Sequence, residues 1–266
     1  MPEILPEVLN EEIISIRNIG PGIYKMSVRS EYISGLGLPG QFVNVKCCDG
    51  INPLLRRPIS ICSISRIDKS FDLAFQVKGR GTELLSQKKP GEKIDVIGPL
   101  GKPFEMSGKY ANIAVVGGGI GIFPLLFLLE SSKAARKTAF LGFRCKDLIM
   151  LESEFRKASD DLFITTDDGS MYQKGMISDL LKSNLTECNY DIIYACGPTA
   201  LLKAVAEIAH ENGVKCQVCL EQRMGCGIGA CLVCACKTVS DGGWKYSHVC
   251  KDGPVFWSDE VIFDFD

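Results

Sequence analysis

The stretch Glu221–Cys236, read as EQRMGCGIGACLVCAC, constrains this chain more than any other. It carries Cys226, Cys231 and Cys234 with gaps of four and then two residues, and Cys250 follows after fifteen more. The spacing C-x4-C-x2-C…C is that of plant-type [2Fe–2S] ligands, and four thiolates drawn to one place are what two bridged irons need. Zinc also accepts four thiolates, but usually from two C-x2-C knuckles. Here the first gap is longer and Cys250 stands alone. Gly225, Gly227, Gly229 and Ala230 let the backbone wrap closely, so that its N–H groups can point at sulfur.

The rest of the composition bounds the class. A chain of 266 residues is long enough for two or three domains with cores of their own. A formal net charge of −2 offers no electrostatic reason to expect nucleic acid or an anionic membrane as partner. The longest apolar run, Ile120–Leu129, is too short to span a bilayer. Thirteen cysteines is a high and odd count, and the N-terminus MPEILPEVLNEE is acidic and broken by Pro2 and Pro6 rather than shaped like a secretory signal. That combination predicts reduced thiols in a cytoplasmic protein, serving a metal rather than a disulfide framework.

Residues 1–107 read as a small antiparallel barrel. Short apolar or alternating segments (IYKMSVRS, QFVNVKC, PISICSIS, SFDLAFQVK, EKIDVIG) are punctuated by Gly and Pro. One helical piece is predicted there, Thr82–Gln87, capped by Thr82. Two spots look chemical. Leu55-Arg56-Arg57-Pro58-Ile59-Ser60 sets an arginine pair and a hydroxyl around a strand-starting proline, able to hold phosphate and a polar ring edge. Gly79-Arg80-Gly81-Thr82 precedes the short helix and offers free N–H groups to an anion. A solvated loop and an ordinary cap explain the same letters.

Residues 108–215 alternate strand and helix, which predicts a parallel sheet covered on both faces. The first strand runs into Gly117-Gly118-Gly119-Ile120-Gly121 and directly into a helix, the placement of a phosphate-cradling turn. It is not a clean G-x-G-x-x-G, and no acid closes the second strand, which ends Leu141-Gly142-Phe143-Arg144. Asp167-Asp168-Gly169 is either a substitute for that ribose-binding acid or a solvated turn. Cys196-Gly197-Pro198-Thr199 falls at the carboxyl end of the fourth strand, the edge where such sheets bind ligands; plain helix-start chemistry would look alike. Residues 216–266 are too few for a large core, so the cluster would supply fold energy, with Trp244, Trp257, Phe263 and Phe265 packed around it or against its neighbours.

Taken together, RRPISI, GTELLS, GGGIGIFPLL, CGPTALLKAV, the cysteine run (Gln222 allowed) and HVCKDGPVF resemble the ferredoxin reductase-like flavoproteins over essentially the whole chain. The resemblance is greatest to the electron-transfer subunits of NAD-dependent (class 1B) dihydroorotate dehydrogenases. It implies an FAD-binding barrel, with FAD on Arg57, Pro58, Ile59 and Ser60, on the strand Phe75, Gln76 and Val77, and on Gly81 and Thr82. It implies NAD(H) in the second domain, on Gly117, Gly118, Gly119 and Gly121, with Cys196, Gly197 and Pro198 near the nicotinamide. It implies one [2Fe–2S] cluster per subunit on Cys226, Cys231, Cys234 and Cys250, one FAD per subunit, and an FMN-containing catalytic partner in a heterotetramer of two of each. The broader flavoproteins carry an aromatic where this chain has Ile59. No side chain is singled out as catalytic, since a hydride and single electrons need no general base; His210 and His248 are the two histidines. Alternatives are an NAD(P)H:ferredoxin or sulfide-type oxidoreductase subunit of the same superfamily and a non-catalytic zinc or redox-sensing module. Arg144 leaves room for an NADP phosphate.

Overall fold

The computed structural model describes residues 5–106, 108 and 110–264. Phe265 and the 107/108 boundary therefore lie outside the described residues. Six strands close a barrel in the order β1-β2-β5-β4-β3-β6: β1 (Glu7–Gly20), β2 (Ile23–Arg29), β3 (Phe42–Val45), β4 (Arg57–Ser65), β5 (Ser70–Gln76) and β6 (Lys93–Leu100). All its pairings are antiparallel, and closure removes the exposed edges. Its interior is Val28, Ile33, Val43, Ile61, Phe71, Leu73 and Val96 with their neighbours.

Two helices accompany the barrel, not the single one expected. The helix α1 (Glu31–Leu36) starts at Ser30, whose hydroxyl accepts from the N–H of Ile33 at 3.2 Å. Its brevity left no periodic signal. The helix α2 (Arg80–Ser86) has Gly79 as its N-cap, three residues before the expected Thr82. Thr82 sits inside the first turn, where Oγ1 accepts from the N–H groups of Lys78 and Gly79 and donates to the Gly79 carbonyl.

The second unit is a sheet in the order β10-β9-β8-β7-β11-β12-β15. Its parallel strands are β7 (Asn112–Gly118), β8 (Arg136–Phe143), β9 (Asp161–Thr166), the two-residue β10 (Gln173–Lys174), β11 (Ile192–Cys196) and β12 (Lys215–Cys219). The helices are α3 (Ile122–Ser131), α4 (Glu152–Ala158), α5 (Ile177–Asn184) and α6 (Thr199–Glu211). The sheet runs past residue 215, because β12 pairs residue for residue with β11. Residues 122–129 of α3 are all buried. A helix apolar on every side must be covered on every side. Leu125 and Leu128 join the core under the sheet, while Phe127 enters the barrel core.

The C-terminal residues build a two-stranded hairpin, β13 (Ala235–Ser240) and β14 (Gly243–His248), and return to the sheet edge as β15 (Val255–Trp257), antiparallel to β12. The Lys102 N–H also donates to the Gly253 carbonyl at 2.6 Å. Phe42 and Leu100 of the barrel share one apolar cluster with Cys234, Cys250 and Phe256. The expectation for Trp244 is corrected: it is half exposed on the hairpin, edge-on to Tyr246, because β14 turns its residues 243–246 to solvent. Trp257 and Phe263 do pack on the cores. Among the described residues no helix is long and apolar enough to cross a membrane.

Candidate functional site

The four cysteines of the spacing pattern come together in two pairs. The Cys226 N–H donates to Sγ of Cys231 at 3.3 Å, and the Cys231 N–H to Sγ of Cys226 at 3.4 Å. The Cys250 N–H donates to Sγ of Cys234 at 3.4 Å. Gly229 joins the pairs, its N–H reaching Sγ of Cys250 at 3.1 Å, while Ile228 and Ala230 donate to Sγ of Cys226. Left-handed backbone at Gly227 (φ +75) and Gly229 (φ +83) turns these N–H groups inward. Cys231 is exposed and Cys226 half-buried, whereas Cys234 and Cys250 are buried. Burial alone would raise the Cys226 thiol, but the N–H groups of Ile228, Cys231 and Ala230 bring it down to about 6. Burial and the adjacent Cys234 push Cys250 up to about 12. Among the described residues, no three His, Cys, Asp or Glu side chains surround one point as a single metal ion would require. Two pairs of sulfurs cradled by N–H donors fit a two-iron cluster, with Cys226 and Cys231 toward solvent and Cys234 and Cys250 toward the core.

The two arginines of the barrel motif separate. Arg56 is engaged within the barrel, with Nη1 2.8 Å and Nη2 2.9 Å from the two carboxylate oxygens of Asp95. Among the described residues Arg57 pairs with no carboxylate; its guanidinium donates to the Leu55 and Arg56 carbonyls and lies against Gly81. A Cβ at Gly81 would stand 2.8 Å from Arg57 Nε, so the glycine is what lets the two motifs touch. Ile59, where the broader flavoproteins carry an aromatic, is buried and packs into the barrel core. Phe75 is buried beside Tyr24, with their rings stacked at 6.1 Å; Val77 continues the strand by donating to the Gly22 carbonyl. Of the residues singled out in the barrel, Arg57 and Gly81 meet at the α2 turn, while Ile59 and Phe75 are buried in the barrel core.

The glycine turn and the Cys-Gly-Pro turn also meet. Cys196 is in register with Gly117. A Cβ at Gly121 would lie 2.6 Å from the Gly197 backbone, and one at Gly118 2.8 Å from Leu201. The two turns are packed main chain to main chain. They lie where β7 and β11 neighbour each other and the chain changes direction across the sheet, the switch point of an open α/β fold. The turn Gly119–Gly121 lies against β5 of the barrel. Asp168 is tied into its own turn, its Oδ1 accepting from the N–H and hydroxyl of Ser170, which matches the solvated-turn alternative. Arg144 is exposed at the end of β8.

The sequence reading missed Asn44. On β3 it is opposite Pro58, and its Nδ2 donates to the Cys226 carbonyl at 3.0 Å. An amide within the apolar run Phe42–Val45 was the available signal.

Comparison with known proteins decides the family. Residues 221–262 match the iron-sulfur cluster binding domain of dihydroorotate dehydrogenase B. A dihydroorotate dehydrogenase B (NAD(+)) electron transfer subunit of Desulforamulus reducens is 38% identical over 262 residues, 98% of this chain and all of the relative. The chain belongs to this family of electron transfer subunits. The Bacillus mycoides member is 39% identical over 258 residues, covering 95% of this chain and 98% of its own. Among solved structures, an NADH-dependent reduced ferredoxin-NADP oxidoreductase aligns with a TM-score of 0.84 at 34% identity, covering 96% of this chain and 91% of that one. A ferredoxin reductase of carbazole 1,9a-dioxygenase, at 19% identity and a TM-score of 0.66 over 80% of this chain and 68% of its own, shows the fold alone. Family membership thus agrees with the architecture of reductase barrel, nucleotide sheet and iron–sulfur region, and makes the chain an oxidoreductase component.

Proposed function

We propose that this chain carries electrons from the FMN of a dihydroorotate dehydrogenase catalytic subunit to NAD⁺, in pyrimidine biosynthesis. Cys226, Cys231, Cys234 and Cys250 hold one [2Fe–2S] cluster. FAD lies on Arg57–Ser60, Phe75–Val77, Gly81 and Thr82. NAD(H) lies on Gly117, Gly118, Gly119, Gly121, Cys196, Gly197 and Pro198. When bound, the flavin supplies the exchange between the two electrons of a hydride and the single electrons of iron–sulfur chemistry. The chain's own residues position and tune. Arg57 supplies positive charge for a diphosphate, the two glycine turns let the nicotinamide approach the barrel, and the N–H groups of residues 228–231 stabilise charge on sulfur. The observation that carries the reading is the tie between Asn44, opposite Pro58, and the Cys226 carbonyl, which holds the cysteine loop on β3, next to the strand that begins the flavin motif.

The partner docks over the exposed Cys231, where Ile228, Leu232 and Val233 are each more than half exposed. Apolar side chains around an exposed ligand exclude water where electrons must cross. The assembly is a heterotetramer of two subunits of each kind, in the cytoplasm. The visible spectrum of anaerobic protein tests the whole reading. Flavin and iron–sulfur bands bleach with NADH, and bleach with dihydroorotate only when the FMN subunit is present. Bleaching by NADH alone, whatever partner is added, returns the chain to a ferredoxin-type reductase. A loaded protein with zinc and no coloured bands overturns both.

A further inference from the structure

Asn44 is 1% exposed, in a strand whose four residues are all buried. An aliphatic residue would fill such a position without burying a polar group. Its amide is half satisfied: Nδ2 donates to the Cys226 carbonyl at 3.0 Å, and Oδ1 is buried with no hydrogen-bond partner among the described residues. The cysteine loop is shaped to meet it. A Cβ at Gly227 would stand 2.5 Å from Asn44 Nδ2, and Gly227 adopts φ +75, so glycine there serves both the turn and the approach.

The backbone of Asn44 is clamped as well. The strand β3 lies between β4 and β6, with Asn44 opposite Pro58 on one side and Ile97 on the other. Arg56 reaches across β3 from the start of β4 to Asp95 on β6, and its Nη1 donates to the main-chain carbonyls of Asn44 (3.4 Å) and Asp95 (3.2 Å). The arginine that does not face the flavin site thus holds the strand that holds the loop.

Resting on the flavin and cluster assignment above, we infer that Asn44 is the positioning residue that sets the cluster ligand Cys226 relative to the flavin-motif strands, and so governs electron passage between the two sites. Asn44 is neither oxidised nor reduced. It fixes one end of the loop whose N–H groups surround the sulfurs, against strands whose other neighbours are Pro58 and Ile59. Electron passage weakens as the two sites separate or turn relative to each other, so loss of this single anchor is readable in its rate.

The experiment uses the full chain carrying its cofactors, with Asn44→Leu, Asn44→Asp and Gly227→Ala. The first removes the donor, the second turns an oxygen toward the Cys226 carbonyl, and the third pushes the loop off from its own side. Thr238→Val serves as a control: it breaks the buried Thr238–Ser247 hydroxyl pair (2.7 Å) in the hairpin and loosens the same region without touching the anchor. All four are measured for iron and flavin content, stopped-flow bleaching by NADH, the electron paramagnetic resonance of the reduced cluster, and amide exchange at residues 226–231. In the Asn44 and Gly227 variants the flavin phase keeps its wild-type rate and the cluster phase slows several-fold. Their resonance changes and exchange at 226–231 rises, none of which occurs in Thr238→Val. If Asn44→Leu loses its cluster, Asn44→Asp and Gly227→Ala decide. Loaded variants with wild-type cluster kinetics and resonance overturn the inference, as does an equal slowing in Thr238→Val. A wild-type cluster that never bleaches with NADH instead overturns the functional reading beneath it.

Discussion

At the residue scale, adjacent and identical letters have opposite tasks. Arg56 closes an ion pair whose side chains are only 21% and 30% exposed, while Arg57 rests on main-chain carbonyls beside Gly81. Arg57→Gln is expected to lower the flavin-to-protein ratio of purified protein with little change in thermal midpoint. Arg56→Gln is expected to cost about 2 kcal/mol in urea unfolding, from the lost charged hydrogen bonds, while flavin content falls less. The buried Cys62 thiol behaves differently from Cys226, which its surrounding N–H groups bring down to about 6. Burial pushes Cys62 from 9.0 up to about 12. Burial works against the Lys25 ammonium nearby, but its bond to Asp72 at 2.7 Å outweighs that and raises it. Both groups hold their protons more tightly folded than unfolded, so their contribution is complete below pH ~9 and drains away as pH rises toward 12. The thermal midpoint should therefore be level from neutral pH to about 9 and fall above it, with a shallower fall in Cys62→Ala.

At the element scale, α3 is the hinge pin of the molecule. It follows the glycine turn, lies under the sheet, and sends Phe127 into the barrel core. Phe127→Ala should cost about 3–5 kcal/mol. It should also weaken NADH reduction of the flavin, because the Gly119–Gly121 turn that leads into α3 is what touches β5. Urea unfolding followed by far-ultraviolet circular dichroism, with KM for NADH measured alongside, checks both; a loss of stability with unchanged KM would mean the turn is held by its glycine contacts alone. The hairpin β13–β14 shows the opposite economy, with residues 243–246 exposed and Trp244 packed against Tyr246 and Lys237 of its own hairpin.

At the scale of the whole molecule, three small units become one because the C-terminal region touches both others. β15 extends the sheet beyond β12, Lys102 binds Gly253, and Asn44 binds Cys226. Removing iron with a chelator should accordingly loosen residues 221–234 while leaving the barrel, the sheet and β15 in place. Limited proteolysis of iron-free protein should cut first in that loop, and the flavin should stay bound and remain reducible by NADH. Simultaneous loss of flavin and iron would mean instead that the barrel depends on the cluster for its own fold.

The cysteine spacing, the punctuated barrel strands and the strand–helix alternation each carry their own physics in short runs of residues. They made the three-part architecture, the gathering of the four cysteines and the placement of the glycine and Cys-Gly-Pro turns legible from the sequence. Local patterns also misled locally: Trp244 reads as core until its strand is seen to face solvent, and α1 is too short to show a period. What the tertiary structure decided is which partners meet across long separations. Arg56 pairs with Asp95, Arg57 lies on Gly81, the sulfurs divide into an outer and an inner pair, and Asn44 reaches Cys226 across 182 positions of chain. No period or spacing encodes such meetings. They are consequences of barrel closure and of the C-terminal strand returning to the sheet, which place residues by the cooperative packing of whole elements rather than by neighbours in sequence.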